Sequence, residues 1–541
     1  MTETEDQILR LKGKRASGGL VVGPAHLLGD IIVRDQAPAG TSDDEVAKLR
    51  SAIAAASEAL ETLAATSGDM GGEILGFQIA LLEDDALIEP AIIEIEAGTS
   101  AVKGWRDALD EQIADYAASD DDYFRARAED LTDLRDRVLA ILTGADFGDG
   151  SMPDGAVVVG RELTPSRFLT VDWHRAGGLA LAGGSPSSHV AMLARARGLA
   201  MAVGLGDGIS ALHAGEPVVL DADAGQVVSG LGRDALEQMH RDVAARARQA
   251  EEAKRLLPLP ATTPSGQRVI TTVNVDDPGV LSEIPVAHCD GIGLTRTEFL
   301  FHDRANLPGE DEQAAVYRRL LDWADGRPVT IRTLDAGGDK PIPGLTLDGE
   351  GNPFLGLRGL RLSLARTDVF EVQLRALARA SAHGNLKIMF PMVTAPWELD
   401  RARELTEAAL AAVAKDGAPV GKPAIGMMVE VPAAAIEIDR FDADFFSIGS
   451  NDLIQYVTAS SRDSAEVSNL YDPLNPAVLR LITRIADHGL KTGREVNVCG
   501  DMAAEAATLT ALLDCGVRSV SMGYAALAQA KATIADYVTE P

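Results

Sequence analysis

Five arginines of this chain lie in stretches where a guanidinium group could bind an anionic substrate. The stretches are GIGLTRTEF, TIRTLDAGGDK, FLGLRGLR and SSRDS, and the arginines are Arg296, Arg332, Arg358, Arg361 and Arg462. A guanidinium group clamps phosphate or carboxylate through two parallel hydrogen bonds. Several convergent arginines therefore predict a small substrate with more than one anionic group. A single arginine is more often part of a surface salt bridge, so the prediction depends on Arg296, Arg332 and Arg462 together.

Two carboxylates follow short apolar runs and predict a magnesium site. They are Glu430 in GMMVEVP and Asp452 in IGSNDL. Mg²⁺ takes one or two carboxylates and completes its shell with substrate oxygens and water. The alternative is a pair of structural acids held in ion pairs. The sequence has no cluster of cysteines and histidines that would favour zinc instead.

Cys499, in VNVCGD, is a candidate proton donor. A thiol that faces an anionic site can donate or accept a proton during the reaction. A lone cysteine is by default a small buried apolar residue. We interpret Cys289 and Cys515 as buried apolar residues of this kind.

His189, in AGGSPSSHVAMLARARG, is a candidate nucleophile. Ser187 or Ser188 is predicted to cap the helix that follows. His189 would then lie at the positive end of that helix, beside free backbone N–H groups that bind phosphate well. We expect this position to lower the pKa of the imidazole, which keeps the ring neutral and nucleophilic. The alternative is an ordinary surface or core histidine.

The region from 261 to 541 repeats a strand followed by a helix. Eight strands are predicted, at 268–275, 290–294, 329–334, 386–392, 424–430, 445–449, 496–499 and 519–522. This pattern has the size of a TIM barrel, whose reactive residues lie at the carboxyl ends of the strands. The residues in or just after these strands include Asn274, Arg296, Arg332, Asp335, Met392, Glu430, Asn451, Asp452, Cys499 and Ser521. The predicted barrel would therefore place the candidate side chains together at one end.

The first half of the chain predicts a helical insert within an α/β domain. Short apolar runs bounded by glycine read as strands at 18–23, 156–163, 177–184 and 217–225. Between them, 42–144 predicts four amphipathic helices, which implies a bundle. We expect a capping box at Ser42 and Glu45, a kink or break at Pro90, and a helix end at Gly144. The predicted divisions are 1–41 with 145–232, 42–144, a linker helix at 233–260, and 261–541.

The composition excludes several classes of protein. The 541 residues include 50 Lys and Arg against 81 Asp and Glu, a net charge of −31. Such an excess of acid argues against a nucleic-acid-binding protein, because phosphate backbones need a basic face. The 46% apolar content supports a large core. The first residues lack a signal-peptide pattern, and apolar runs fall short of a bilayer span, so we expect a cytoplasmic protein without membrane insertion.

Several stretches together resemble the phosphoenolpyruvate–protein phosphotransferase family, enzyme I of the bacterial sugar phosphotransferase system. They are AGGSPSSHVAMLARARGLAMAVG, DGIGLTRTEFLF, IRTLDAGGDKP, NPFLGLRGLR, IMFPMV, GMMVEVPAAA, FFSIGSNDLIQY and VNVCGDMA. The resemblance covers nearly the whole chain. It implies a swivelling α/β phosphohistidine domain with an inserted four-helix bundle, followed by a (β/α)8 TIM barrel.

The resemblance also implies a role for each candidate residue. His189 matches the phosphorylated histidine, which carries phosphate on Nε2, and Cys499 matches the proton donor. Glu430 and Asp452 match the Mg²⁺ ligands. We expect substrate-binding residues at Arg296, Arg332, Arg358, Lys340, Asn451, Asp452 and Arg462. The helical insert matches the docking site for the small phosphocarrier protein HPr, and the family forms homodimers through the barrel.

The expected function is the first step of sugar phosphotransferase transport. The chain would move the phosphoryl group of phosphoenolpyruvate to His189, release pyruvate, and pass the group to a histidine of HPr. One alternative is an enzyme like pyruvate phosphate dikinase or phosphoenolpyruvate synthase. Those enzymes need an ATP-binding domain, and no glycine-rich ATP loop is present here. The other alternative is a non-catalytic regulatory homologue, against which the retained His189, arginines, carboxylates and Cys499 argue.

Overall fold

The computed structural model describes residues 8–29, 40–117, 122–145, 152–186, 188–301, 306–338, 340–347, 349–461, 467 and 470–538. The chain divides into two compact units, Met1–Ala247 and Arg248–Pro541. Each unit has its own hydrophobic cores. Among the described residues, no helix is both long and apolar enough to cross a membrane.

Eight strands form one sheet in the first unit. They are β1 (Leu9–Lys12), β2 (Lys14–Ser17), β3 (Leu20–Leu27), β4 (Ala156–Gly160), β5 (Ala176–Leu181), β6 (Ala200–Val203), β7 (Pro217–Asp221) and β8 (Gln226–Ser229). Their order in the sheet is β1-β8-β7-β3-β4-β5-β6-β2. Strand β3 pairs in parallel with β4, with Ala25 opposite Val157. The helical segment therefore interrupts a single sheet, which confirms the predicted insertion.

The insert contains five helices among the described residues, so the predicted four-helix bundle is wrong in number. They are α1 (Ser42–Ala64), α2 (Gly68–Leu82), α3 (Asp85–Glu96), α4 (Ala101–Ala117) and α5 (Asp122–Thr143). The predicted second helix divides before Pro90, because the side chain of Asp84 accepts a hydrogen bond from Ala86 N and starts α3. Pro90 itself lies inside α3 without ending it.

The capping box of α1 is one residue earlier than predicted. Thr41 is the N-cap, and its side chain and that of Asp44 satisfy each other's backbone N–H groups. Glu45 is instead buried, and its Oε2 accepts a 2.7 Å hydrogen bond from Ala101 N at the start of α4. Gly144 has a φ of +66° directly after α5, which confirms the predicted helix end.

Two short helices cover one face of the sheet, and the boundary between the two units lies within a long helix that follows. Helices α6 (Pro165–Thr170) and α7 (His189–Ala196) pack Phe168, Val190 and Leu193 against apolar side chains of the sheet. Helix α8 (Arg233–Lys254) is the polar helix predicted after the sheet.

The second unit contains a closed barrel of eight parallel strands, as predicted. They are β9 (Ile270–Val275), β10 (Ile292–Thr295), β11 (Val329–Arg332), β12 (Leu386–Phe390), β13 (Ala424–Val429), β14 (Phe445–Gly449), β15 (Glu495–Cys499) and β16 (Ser519–Met522). Each strand pairs with the next, and β16 pairs with β9 to close the barrel. All eight predicted strands are therefore confirmed.

Helices alternate with these strands and bury a large apolar core against them. They are α9 (Glu310–Ala324), α10 (Leu360–Ala365), α11 (Thr367–Ala380), α12 (Pro396–Lys415), α13 (Pro432–Ile436), α14 (Ser450–Thr458), α15 (Pro476–Thr492), α16 (Ala506–Asp514) and α17 (Tyr524–Asp536). A smaller cluster consists of Leu294, Met389, Met428, Phe445 and Cys499. Because all strands are parallel, their carboxyl ends meet at one mouth.

Candidate active site

Arg332, the last residue of β11, is a buried cation at the barrel mouth. Its side chain is 4% exposed. Nη2 donates a 2.9 Å hydrogen bond to Glu298 Oε1, and Nη1 lies 3.1 Å from Asp335 Oδ2. Within the described part of the chain, Arg332 Nε and Glu298 Oε2 are buried without a hydrogen-bond partner. The guanidinium therefore keeps a donor available for an additional group.

Arg358, which directly precedes Gly359 with its φ of +59°, is also buried and bridges two carboxylates. Nε and Nη2 each lie 3.1 Å from an oxygen of Asp335. Nη2 and Nη1 donate to the two oxygens of Asp452 at 3.0 and 3.3 Å. Its three nitrogens are thus directed at protein carboxylates.

Asp335 joins these cations and was identified in the sequence only as a residue beyond a strand. Burial alone would raise its pKa, but Arg332, Arg358 and Lys340 hold the pKa of this carboxyl well below its usual range. Lys340 Nζ lies 3.6 Å from Asp335 Oδ2. Glu298 was missed in the sequence, although the quoted stretch TRTEF contains it. Both acids balance the buried charge of the arginines.

Glu430, directly after β13, is a buried carboxylate held by the backbone. Its Oε1 accepts a 2.7 Å hydrogen bond from Met392 N, and Met392 has a φ of +56°. A Cβ on Gly449 would come within 2.6 Å of Glu430 Oε2, so any other residue here would displace the Glu430 side chain. Burial, followed by the charges of Asp452 and Asp335, raises the pKa of Glu430 to about 8. Burial and the two neighbouring acids thus favour the neutral form of this carboxyl.

Cys499, the last residue of β15, is buried in the smaller apolar cluster. Its Sγ lies 3.3 Å from Ser447 Oγ and 3.6 Å from the carbonyl oxygen of Ile448. Burial raises the pKa of the thiol. Cys499 therefore keeps its proton at neutral pH, as a proton donor must.

The remaining predicted residues of the barrel lie nearer the solvent or outside the described residues. Arg296 is 35% exposed and donates to Asp276 Oδ2 at 2.7 Å. The Asn451 side chain forms two 3.1 Å hydrogen bonds with Asp501. Its Nδ2 donates to Asp501 Oδ2, and its Oδ1 accepts from Asp501 N. Arg361 donates to Thr394 Oγ1 at 2.8 Å. Arg462 lies outside the described residues.

His189 is the first residue of α7, in the first unit. Ser188 caps the helix by accepting a hydrogen bond from Ala191 N, which confirms one of the two predicted caps. Ser187 lies outside the described residues. Gly184, with a φ of +81°, forms part of the preceding turn.

The predicted lowering of the His189 pKa is wrong. Asp130 on α5, whose Oδ1 lies 3.7 Å from His189 Nδ1, raises the pKa of the imidazole and outweighs its burial. Asp130 is only 1% exposed, so solvent screens its charge little. The nearby carboxylate is therefore the largest cause of the raised pKa of His189.

Three family models of PEP-utilising enzymes match the chain. The N-terminal model matches residues 12–127, the mobile-domain model matches 152–225, and the PEP-binding-domain model matches 250–538. The last of these alone covers more than half of the chain.

Proteins named phosphoenolpyruvate-protein phosphotransferase are similar over nearly the full length. The Geobacillus stearothermophilus protein is 36% identical over 97% of this chain and 92% of its own. The Bacillus subtilis (strain 168) protein is 34% identical over 97% of this chain and 94% of its own. This chain therefore belongs to the phosphoenolpyruvate-protein phosphotransferase family of PEP-utilising enzymes.

Proposed function

We propose that this chain transfers the phosphoryl group of phosphoenolpyruvate to its own His189, releases pyruvate, and passes the group to a histidine of HPr. The observation that carries the proposal is the buried cluster of Arg332, Arg358, Glu430 and Asp452 near Cys499 in the barrel. The full-length relatives named for this activity support it. Neither the dikinase alternative nor a non-catalytic role gains support from a specific observation.

The charges at the barrel mouth suit a substrate with a phosphate and a carboxylate. Arg332 is the buried cation with an available donor, and Arg296 and Lys340 lie nearer the rim. Asn451 and Arg462 complete the proposed substrate-binding set. Arg358 holds Asp335 and Asp452 in place. Phosphoryl transfer depends mainly on positioning and charge stabilisation, which such a cluster supplies.

Proton transfer in this reaction is assigned to Cys499. When phosphorus leaves the enol oxygen of phosphoenolpyruvate, the product is the enolate of pyruvate, and its methylene carbon must gain a proton. The protonated thiol of Cys499, inside the apolar cluster, is the proposed donor. His189 attacks phosphorus with a neutral nitrogen, because a protonated nitrogen has no free lone pair.

The proposed cofactor is Mg²⁺, held by Glu430 and Asp452. Hard carboxylate oxygens suit this ion, and a cation would favour the charged form of Glu430 that burial and the nearby Asp452 and Asp335 disfavour. Among the described residues, no group of three or more His, Cys, Asp or Glu side chains is arranged to hold a metal. Two carboxylates leave the other ligands to substrate and water. When bound, the ion would neutralise charge on the phosphoryl group.

Three further parts of the proposal come from the sequence resemblance. The helical insert is the proposed docking site for HPr, and the barrel is the proposed homodimer contact. The proposed location is the cytoplasm.

The test is incubation of the full-length chain with Mg²⁺ and phosphoenolpyruvate labelled on phosphorus. We expect release of pyruvate and one acid-labile, base-stable label on His189. The label should then move to added HPr. His189→Ala should take up no label, and a variant that is labelled as fully as the wild type would make the assignment wrong.

A further inference from the structure

Two buried carboxylates on α5 link the helical insert to the α/β part of the first unit. Asp130 and Asp133 lie on the same face of α5, nearly one turn apart, and are 1% and 3% exposed. Gln78 on α2 donates to both, at 3.3 Å to Asp130 Oδ1 and 3.1 Å to Asp133 Oδ2. Buried carboxylates are costly unless they are paired, so their partners show what each one does.

The two carboxylates have different partners outside the insert. Asp133 accepts hydrogen bonds from Ser166 N at 2.8 Å and from Ser166 Oγ at 2.6 Å, at the start of α6. Asp130 Oδ1 instead lies 3.7 Å from His189 Nδ1. His189 Nδ1 is buried without a hydrogen-bond partner within the described residues, and the Asp130 carboxylate lies beside it. Asp133 is thus tied to the backbone, whereas Asp130 faces the imidazole.

We propose that Asp130 is a positioning residue for phosphoryl uptake, because it keeps a proton on His189 Nδ1 and so leaves the lone pair of Nε2 for phosphorus. In a neutral imidazole only one nitrogen carries a proton, and the group that faces one nitrogen decides which. This inference rests on the proposed function. Asp130 acts through His189 and does not itself contact the reacting atoms.

The charge balance of the step gives Asp130 a second effect. The lone pair of Nε2 forms the N–P bond while the P–O bond to the enol oxygen breaks, and that electron pair leaves on the enolate. The ring keeps its Nδ1 proton and becomes positively charged. The carboxylate of Asp130 stabilises that charge, as the buried acid of a catalytic triad stabilises an imidazolium.

Several charged groups surround His189, and the test must separate Asp130 from them. Arg127 and Glu129 lie on the same helix, and Glu129 also interacts with Glu162 in the connection after β4. Arg127 Nη1 lies 3.5 Å from Asp130 Oδ2. Asp130 is the largest cause of the raised pKa of His189. Removal of its charge should therefore lower that pKa.

The experiment measures the tautomer and the pKa of His189 by NMR of the full-length chain labelled with ¹⁵N-histidine. His189→Ala identifies the signals. In the wild type we expect the Nδ1–H tautomer, whereas free imidazole side chains favour Nε2–H. Asp130→Asn should reduce the fraction of His189 in the Nδ1–H tautomer and lower the pKa of the imidazole. It should slow phosphoryl uptake by about 10-fold to 100-fold. The loss of uptake rate at acidic pH should also move to lower pH.

Asp133→Asn is the matched control, since it alters an equally buried carboxylate on the same helix that contacts Ser166 instead. It should leave the tautomer and pKa of His189 unchanged. A wild type with the Nε2–H tautomer would overturn the inference, and so would an Asp130→Asn variant with the wild-type tautomer and pKa. A wild type with Nδ1–H that takes no label would instead overturn the proposed function.

Discussion

Arg332 and Arg358 are both buried at the barrel mouth, but they differ in how many of their nitrogens already face a protein acceptor. All three nitrogens of Arg358 face Asp335 or Asp452. Arg332 retains a buried Nε without a partner among the described residues. We therefore propose that Arg332 contacts the substrate and that Arg358 supports the carboxylates. The sequence could not separate the two, because both lie in similar glycine- and arginine-containing stretches.

Cys499→Ala should impair turnover much more than Mg²⁺-dependent binding of phosphoenolpyruvate. In the proposed reaction the thiol supplies the proton that the enolate needs, whereas other residues bind the anionic groups of the substrate. Turnover is measured by pyruvate release, and binding by calorimetry with substrate and Mg²⁺.

The control for this variant is Cys515→Ala. Cys515 is a buried cysteine of the same unit, but its Sγ lies near the carbonyl oxygen of Leu479 rather than in the cluster around Cys499. It should leave both quantities unchanged. An equal loss of turnover and binding in Cys499→Ala would contradict the role as proton donor.

At the scale of elements, the hydrophobic pattern was sufficient for the barrel but not for the insert. Barrel strands are short apolar runs flanked by polar or glycine residues, so all eight could be predicted. In the insert, α2 and α3 are separate because Asp84 caps the start of α3. In the sequence, an aspartate is a weaker indication of a helix boundary than a proline such as Pro90. Local capping chemistry, and not periodicity, sets that boundary.

Glu45→Ala should destabilise the insert by about 1–3 kcal/mol. The substitution removes the buried acceptor for Ala101 N and leaves that donor at the start of α4 unsatisfied. Glu45→Gln should lose less stability, because its amide oxygen can still accept the hydrogen bond from Ala101 N. Hydrogen exchange of the α4 amides in urea gives the local free energy of opening.

Glu58→Ala is the control for a carboxylate of α1, since its side chain is exposed. It should leave exchange in α4 unchanged. Equal exchange rates in α4 for Glu45→Ala and Glu58→Ala would show that the hydrogen bond to Ala101 contributes no stability.

At the scale of the whole molecule, the net charge of −31 is unevenly distributed. Residues 42–144 contain 24 acidic and 8 basic residues, a net charge of −16. The composition therefore favours a basic partner for the insert, while local arginines are the proposed binding groups for the anionic substrate. The global charge could be read from the sequence, but the contact between Asp130 and His189 could not. Nothing in the sequence of the insert distinguishes Asp130 from its other acids, since only tertiary packing brings it to α7.

The association rate of this chain with HPr should fall about 10-fold or more between 0.05 M and 0.5 M salt. An acidic surface attracts a basic face at long range, and salt screens that attraction. Stopped-flow fluorescence gives the rate. Replacement of three exposed acids of the insert, Glu58, Glu61 and Glu83, by glutamine should lower both the rate and its dependence on salt.

The matched control replaces three exposed acids of the barrel helices, Glu371, Glu404 and Glu407, by glutamine. It changes the net charge equally, but it should have a smaller effect on the rate. If both triple variants slow association to the same extent, the insert has no special role in steering. A rate independent of salt would exclude electrostatic steering altogether.

The pairing of β3 with β4 across the insert has a consequence for the order of folding during synthesis. Strand β3 leaves the ribosome before the whole insert, and its neighbours β4 and β7 follow only after it. The insert has its own apolar core, and its first and last helices pack against each other. A nascent insert that folds first brings the ends of β3 and β4 together and lowers the entropic cost of closing that long loop. Early folding of the insert would thus favour pairing of the two strands on either side of it.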